Sequence, residues 1–158
     1  MNVLAEKAGW ALQQAGAYLA TAESCTGGGV AAAITSVAGS SAWFDCGFVT
    51  YSNLAKTRML GVATETLSEH GAVSEAVVTE MAEGALARSE ATIAVAISGI
   101  AGPDGGSQDK PVGTVWFAWA VLDRPTVTSL CFFSGERNAV QQQAVEQALE
   151  GVIAYLPS

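Results

Sequence analysis

A chain of 158 residues, half of them hydrophobic and 14% charged, is long enough to bury one ordinary core and too apolar to be a disordered segment. Its net charge of −8, with only seven basic residues, excludes the basic face that binding to nucleic acid requires. Three cysteines without C-x-x-C spacing and a single histidine exclude a disulfide framework, a thiolate metal site and a multi-histidine metal site, so no metal or other cofactor is expected.

In chain order, Asn2 is placed to cap a first helix whose apolar positions Leu4, Ala8, Leu12 and Ala15 recur at helical spacing, with Gly16 ending it. The opening "MNVLAEKAGW" has no basic region ahead of an apolar block, so no signal peptide is read and a cytoplasmic location is expected. "YLATA" (18–22) reads as a short buried strand, and "GVAAAITSV" (29–37) as a small-residue helix able to approach a sheet closely. "SAWFDCGFVTYS" (41–52) is aromatic and β-branched, a strand ending near Tyr51. "NLAKTRML" follows as a helix with Asn53 as its N-cap.

A second short helix is expected over 64–70, ending at a surface histidine, His70. Ser74 caps a longer helix with a stripe of Val77, Val78, Met81, Ala82, Ala85 and Leu86. "ATIAVAIS" (91–98) is a wholly apolar strand of the buried kind. "GIAGPDGGSQDKPVG" is a glycine- and proline-dense loop, and strands at 114–122 and 126–133 form a hairpin across "DRP". The last helix, about 138–156, carries a stripe from Val140 to Leu156. Early alternation of strands and helices with a late hairpin predicts a three-layer αβα domain of the α/β class, its sheet mixed between parallel strands and one antiparallel hairpin. No apolar run is long enough to span a bilayer.

Four segments stand at strand ends: 24–29, 51–56, 98–106 and 134–137. Ligands of open α/β sheets bind beyond the carboxyl ends of parallel strands, so all four are expected at one pocket. In "ESCTGGG", glycines let the backbone approach a ligand, and N–H groups at a helix start favour negative charge or an oxyanion. The same glycines also serve close helix–strand packing. Ser24 and Cys25 compete as nucleophiles. Cysteine is the more reactive type but also the more often buried, and no histidine is near it in sequence, which leaves Ser24.

A serine needs a base, and "YSNLAK" offers Tyr51 and Lys56. A desolvated lysine loses its proton readily, and tyrosine can relay a proton or anchor the serine hydroxyl. "SGIAGPDGG" sets the Ser98 hydroxyl and the backbone of a flexible rim at the end of a buried strand. Arg137, at the start of the last helix, opposes that helix's dipole and is better explained by a phosphate than by solvent.

"AESCTGG", "VTYSNLAK", "LGV", "HGAVSE", "SGIAGPDGG" and "KPVGTVWFA" stand in an order and spacing that resemble the C-terminal domain of the competence/damage-inducible protein CinA, whose stand-alone versions are nicotinamide-nucleotide amidases. The resemblance covers nearly the whole chain, read as one amidase domain over 1–158. It implies hydrolysis of the carboxamide of nicotinamide mononucleotide to nicotinate mononucleotide and ammonia, without metal or cofactor, by a homo-oligomer. It implies Ser24 as nucleophile, with Tyr51 and Lys56 assisting proton transfer. It also implies a substrate pocket drawn from Thr26, Gly27, Gly28, Asn53, Ser98, Gly99, Ala101 and Gly102, with Arg137 at the phosphate. The family usually has threonine where this chain has Ser98, which keeps the hydroxyl and loses a methyl group.

Other readings fit less well. "YSN" is similar to the Tyr-x-Asn of penicillin-binding proteins, but Ser24 lacks the lysine three residues later that their S-x-x-K motif demands. A dehydrogenase is disfavoured because Lys56 lies one residue too far from Tyr51 for a Tyr-x-x-x-Lys pair, and no G-x-G-x-x-G opens the chain. A non-catalytic sensor of pyridine nucleotides, or a competence- or damage-associated module, would use the same pocket and remains the alternative.

Overall fold

The computed structural model describes residues 2–157, apart from the side chain of Asn2, so the expected Asn2 cap lies outside what is described. The chain runs α1 (Asn2–Gln14), β1 (Leu19–Glu23), α2 (Gly29–Thr35), a short 3-10 turn (Ser40–Ala42), β2 (Phe44–Val49), α3 (Asn53–Leu60), α4 (Thr64–His70) and α5 (Glu75–Ala87). It continues β3 (Ile93–Gly99), β4 (Thr114–Val121), β5 (Val127–Phe132) and α6 (Arg137–Tyr155). The sheet order is β2-β1-β3-β4-β5. β1 pairs parallel with both β2 and β3, whereas β4 runs antiparallel to β3 and to β5. β5 therefore points the same way as β1, β2 and β3, and all four end on one edge.

Alternation along the central strands divides the core into two layers. Ile93, Val95 and Ile97 of β3 and Phe117 and Trp119 of β4 pack with Ala8 and Leu12 of α1, Ile34 of α2 and Leu149 of α6. The opposite face is built from Ala20, Ala22, Ala94, Ala96, Ala118 and Ala120, against Val77, Val78, Met81 and Ala85 of α5. Alanines leave no ridge on that face, so α5 lies close to the sheet. Gly84 lets the end of α3 approach α5 equally closely, since a Cβ there would run into the carbonyl oxygen of Leu60. On the other face Trp119 donates to the Ala148 carbonyl at 3.1 Å, and its indole fills the space where a Cβ of Gly151 would stand. This is the expected three-layer α/β arrangement with a mixed sheet.

Two expectations shift. The strand read over 41–52 is shorter at both ends. Ser40–Ala42 turns before it, placing Trp43 in the core, and pairing with β1 stops where Glu23 meets Val49. The cap of α3 is Ser52 rather than Asn53: the Ser52 hydroxyl accepts from the Ala55 N–H at 3.1 Å, and Asn53 is the first helical residue. Either residue type can cap. The cap at Ser52 starts a helix in which Lys56 and Leu60, four residues apart, turn the same face inward and both end buried.

Candidate active site

Ser24 follows β1 directly and is held from both sides by the sheet. Its N–H donates to the Ile97 carbonyl at 3.0 Å, while the Thr50 N–H donates to the Glu23 carbonyl at 2.8 Å. The end of β2 and the end of β3 thus flank the serine, and the start of α3 folds over it. The side chain of Lys56 reaches down from α3 and is 1% exposed. Its ammonium donates to Ser24 Oγ at 2.9 Å, to the Thr50 carbonyl at 2.8 Å and to the Tyr51 carbonyl at 3.1 Å.

All three partners are neutral, and among the described residues Lys56 forms no salt bridge with a carboxylate. Burial therefore pulls its pKa down from 10.5 to about 8, opposed only by the nearby Cys25 sulfur. A neutral amine has two N–H donors and one lone pair. With both N–H groups kept on the Thr50 and Tyr51 carbonyls, the lone pair is left facing the Ser24 hydroxyl. An amine so placed is able to accept a serine proton without a histidine.

These residues open into a cleft of about 240 Å³, lined by Ser24, Tyr51, Asn53, Lys56, Ser98, Gly99, Ala101 and Arg137, together with Cys25, Ala72 and Val73. The four strand-end segments meet as expected. Cys25 is as buried as Ser24, and burial pushes its thiol up to about 12, so it carries no thiolate at neutral pH. Arg137 stands at the rim. It donates to the Gly102 carbonyl at 2.8 Å and to the Tyr51 hydroxyl at 3.1 Å. Lys56, not Tyr51, therefore holds the serine hydroxyl in this structure. Tyr51 is 61% exposed, with its ring at the mouth of the cleft. Ser98 is buried at the end of β3 and its hydroxyl donates to the Ala72 carbonyl at 2.9 Å, leaving its lone pairs for an incoming donor. Gly99 must be glycine, because a Cβ would collide with Val115 and the Thr114 carbonyl of the neighbouring strand.

Thr26, Gly27 and Gly28, expected in the substrate pocket, do not line the cleft; they form the turn behind Ser24. Gly27 and Gly28 both adopt left-handed φ, 60° and 99°, which glycine alone takes without strain. The N-terminus of α2, read as a site for an external anion, is filled from within. The fully buried Glu23 carboxylate accepts from the Thr26 hydroxyl at 2.5 Å, from the Val30 N–H at 2.9 Å and from the Ala31 N–H at 3.0 Å. Neither Glu23 nor Gln141, whose side-chain amide donates to the Cys25 carbonyl at 3.0 Å, was singled out from the sequence. The signal for Glu23 was present, as a glutamate ending an otherwise apolar strand. Gln141 lies in a polar stretch of α6 with nothing to mark it. Among the described residues, no group of three or more His, Cys, Asp or Glu side chains is placed to hold a metal ion. No helix there is long and apolar enough to cross a membrane.

The model of the CinA C-terminal domain matches residues 1–156. The chain belongs to that family. Family members similar to it include the nicotinamide-nucleotide amidohydrolase PncC of Escherichia coli strain K12, 61% identical over 93% of this chain and 89% of the relative. The protein of the same name from Pseudomonas putida is 53% identical over 97% of this chain and 95% of its own. Among solved structures, the competence/damage-inducible protein CihA from Agrobacterium tumefaciens superimposes with a TM-score of 0.93 at 47% identity, covering 97% of this chain and 93% of that one. The cleft between β1, β2 and β3 is thus set in a CinA-type domain.

Proposed function

We propose that this chain is an amidohydrolase that converts nicotinamide mononucleotide to nicotinate mononucleotide and ammonia, with Ser24 as nucleophile and Lys56 as base. The observation that carries the reading is the buried Lys56 ammonium, paired with no carboxylate among the described residues and 2.9 Å from Ser24 Oγ. The relatives, named nicotinamide-nucleotide amidohydrolases, support the choice of substrate.

In the proposed cycle, neutral Lys56 takes the Ser24 proton as Oγ attacks the carboxamide carbon, and the carbonyl electrons move onto oxygen. Backbone N–H groups of the Thr26–Gly28 turn stabilise that oxyanion. The Lys56 ammonium then returns the proton to the amide nitrogen, which leaves as ammonia. An ester between Ser24 and the nicotinate carboxyl group remains. Water attacks this ester with Lys56 again accepting the proton, and as the bond to Oγ breaks Lys56 returns that proton to Ser24 and the acid is released. Asn53, Ser98, Gly99 and Ala101 bound the space taken by the ring and ribose, with Arg137, anchored by Gly102, at the phosphate. Tyr51 supports proton transfer indirectly in this scheme, holding Lys56 through its carbonyl and Arg137 through its hydroxyl.

The test is ammonia release from nicotinamide mononucleotide by the wild-type chain and by Ser24→Ala. Release by the wild type alone is expected. Equal release by both variants moves the nucleophile elsewhere. Binding of the nucleotide with no release by the wild type supports a sensor instead.

A further inference from the structure

Glu23 takes no part in the cycle above, yet it is fully buried one residue before the nucleophile. A carboxylate removed from water is tolerated only where donors surround it. Here the donors are the Thr26 hydroxyl, within the Ser24–Gly28 turn, and the Val30 and Ala31 N–H groups just beyond it. We infer that Glu23 is a positioning residue for the transition state, clamping the turn so that its peptide N–H groups face the carbonyl oxygen of the substrate attacked by Ser24. The inference rests on the amidase reading of the site.

Two features of the turn carry it. The clamp ties residue 23 to residues 26, 30 and 31, so it closes a ring around Gly27 and Gly28, which have no side chains of their own to restrain them. Second, the first-turn N–H groups of α2 are already engaged by Glu23, and the Gly27 N–H by the Ser24 carbonyl at 3.1 Å. The Thr26 and Gly28 N–H groups carry no hydrogen bond among the described residues. These two free donors lie in the stretch that Glu23 braces.

The test is steady-state kinetics on nicotinamide mononucleotide for the wild type, Glu23→Gln and Thr26→Val. Each is paired with inhibition by pyridine-3-boronic acid, whose boron accepts Ser24 Oγ to give a tetrahedral anion while the serine proton passes to Lys56. Glu23→Gln is expected to lower kcat roughly 10- to 100-fold, short of the 10²–10³ lost when an oxyanion donor itself is removed. KM is expected to stay within about three-fold, and boronic-acid affinity to fall in step with kcat, as for an interaction made only in the transition state. Loss of folded protein alone would lower the active fraction without changing the affinity of what remains folded. Should Glu23→Gln fail to fold, Thr26→Val, which removes one bond of the clamp, is expected to show the same split with a drop of about five-fold or more. An active wild type with unchanged kcat in the variants, or with a rise in KM alone, overturns the inference and leaves the amidase standing. A wild type that releases no ammonia overturns the amidase and this inference with it.

Discussion

Glu23 and Lys56 are both buried against the Ser24 turn, and no ion pair joins them among the described residues. Buried opposite charges in one region of a fold often pair. Here each is satisfied separately, Glu23 by a hydroxyl and the first turn of α2, Lys56 by two carbonyls and a serine. A paired lysine would keep its proton well above neutrality. Its separation from the carboxylate leaves Lys56 able to act as a base.

Turnover should therefore follow the deprotonation of Lys56. With its pKa lowered to about 8 by burial, kcat/KM is expected to rise with pH through that value and then level off. Lys56→Arg, which stays charged at every accessible pH, is expected to lose activity by at least about 100-fold. A pH–rate profile of the wild type that is flat from 6 to 10 would remove Lys56 from the role of base.

The same shift acts on folding. Below about 8 the native chain carries a buried charge, and its full cost, on the order of 3 kcal/mol, is present. Between about 8 and 10.5 the unfolded chain still binds a proton that the native chain has lost, so this contribution makes stability rise with pH. Lys56→Met removes the titration and serves as the reference for all other groups. From pH 7 to pH 9, wild-type stability in urea is expected to gain about 1 kcal/mol relative to Lys56→Met. No relative gain would mean that Lys56 is not desolvated as the structure shows.

Cys25 tests the choice of nucleophile from the other side. Held neutral by burial, it should resist iodoacetamide at pH 7.5 while Cys46 and Cys131, both more exposed, react first. Peptide mapping after alkylation reads this directly. Rapid labelling of Cys25 with loss of ammonia release would reopen cysteine chemistry at this turn.

Arg137 should act on binding rather than on the chemical step. Arg137→Ala is expected to raise KM for the mononucleotide roughly 10- to 100-fold, the range of a charge-assisted hydrogen bond, with kcat changed by less than about three-fold. Nicotinamide riboside, which lacks the phosphate, separates the effects: its KM should respond far less. An equal response for both compounds would place Arg137 elsewhere than at the phosphate.

Much of this architecture was legible because its signals are local. The apolar run ending in Ser98, the stripe of α5 and the late hairpin each follow one period, and the structure keeps each within a few residues. The convergence of four strand ends was also readable, since it depends only on strand direction. The α3 cap was misplaced because serine and asparagine are adjacent and equally capable; the inward turn of Lys56 and Leu60 selects between them. The bonds of Glu23 and Arg137 were beyond the sequence for a different reason. Glu23 meets partners set by how closely α2 returns to β1, and Tyr51 meets Arg137 only because α6 starts at the edge where β2 ends. Which of two tyrosine functions prevails, gripping the serine or gripping an arginine, is decided by that long-range docking and by no pattern of residue types.

The order of the elements gives the site a history during synthesis. The proposed nucleophile and base, Ser24 and Lys56, and the carbonyls that hold Lys56 all lie within the first 56 residues, whereas Arg137 and Gln141 belong to the last helix, which packs on α1 and α2. A nascent chain emerging from the ribosome thus exposes the serine and lysine long before it possesses the rim that closes over them. In the proposed mechanism, competence for hydrolysis waits for the final helix, which brings Arg137 to the rim.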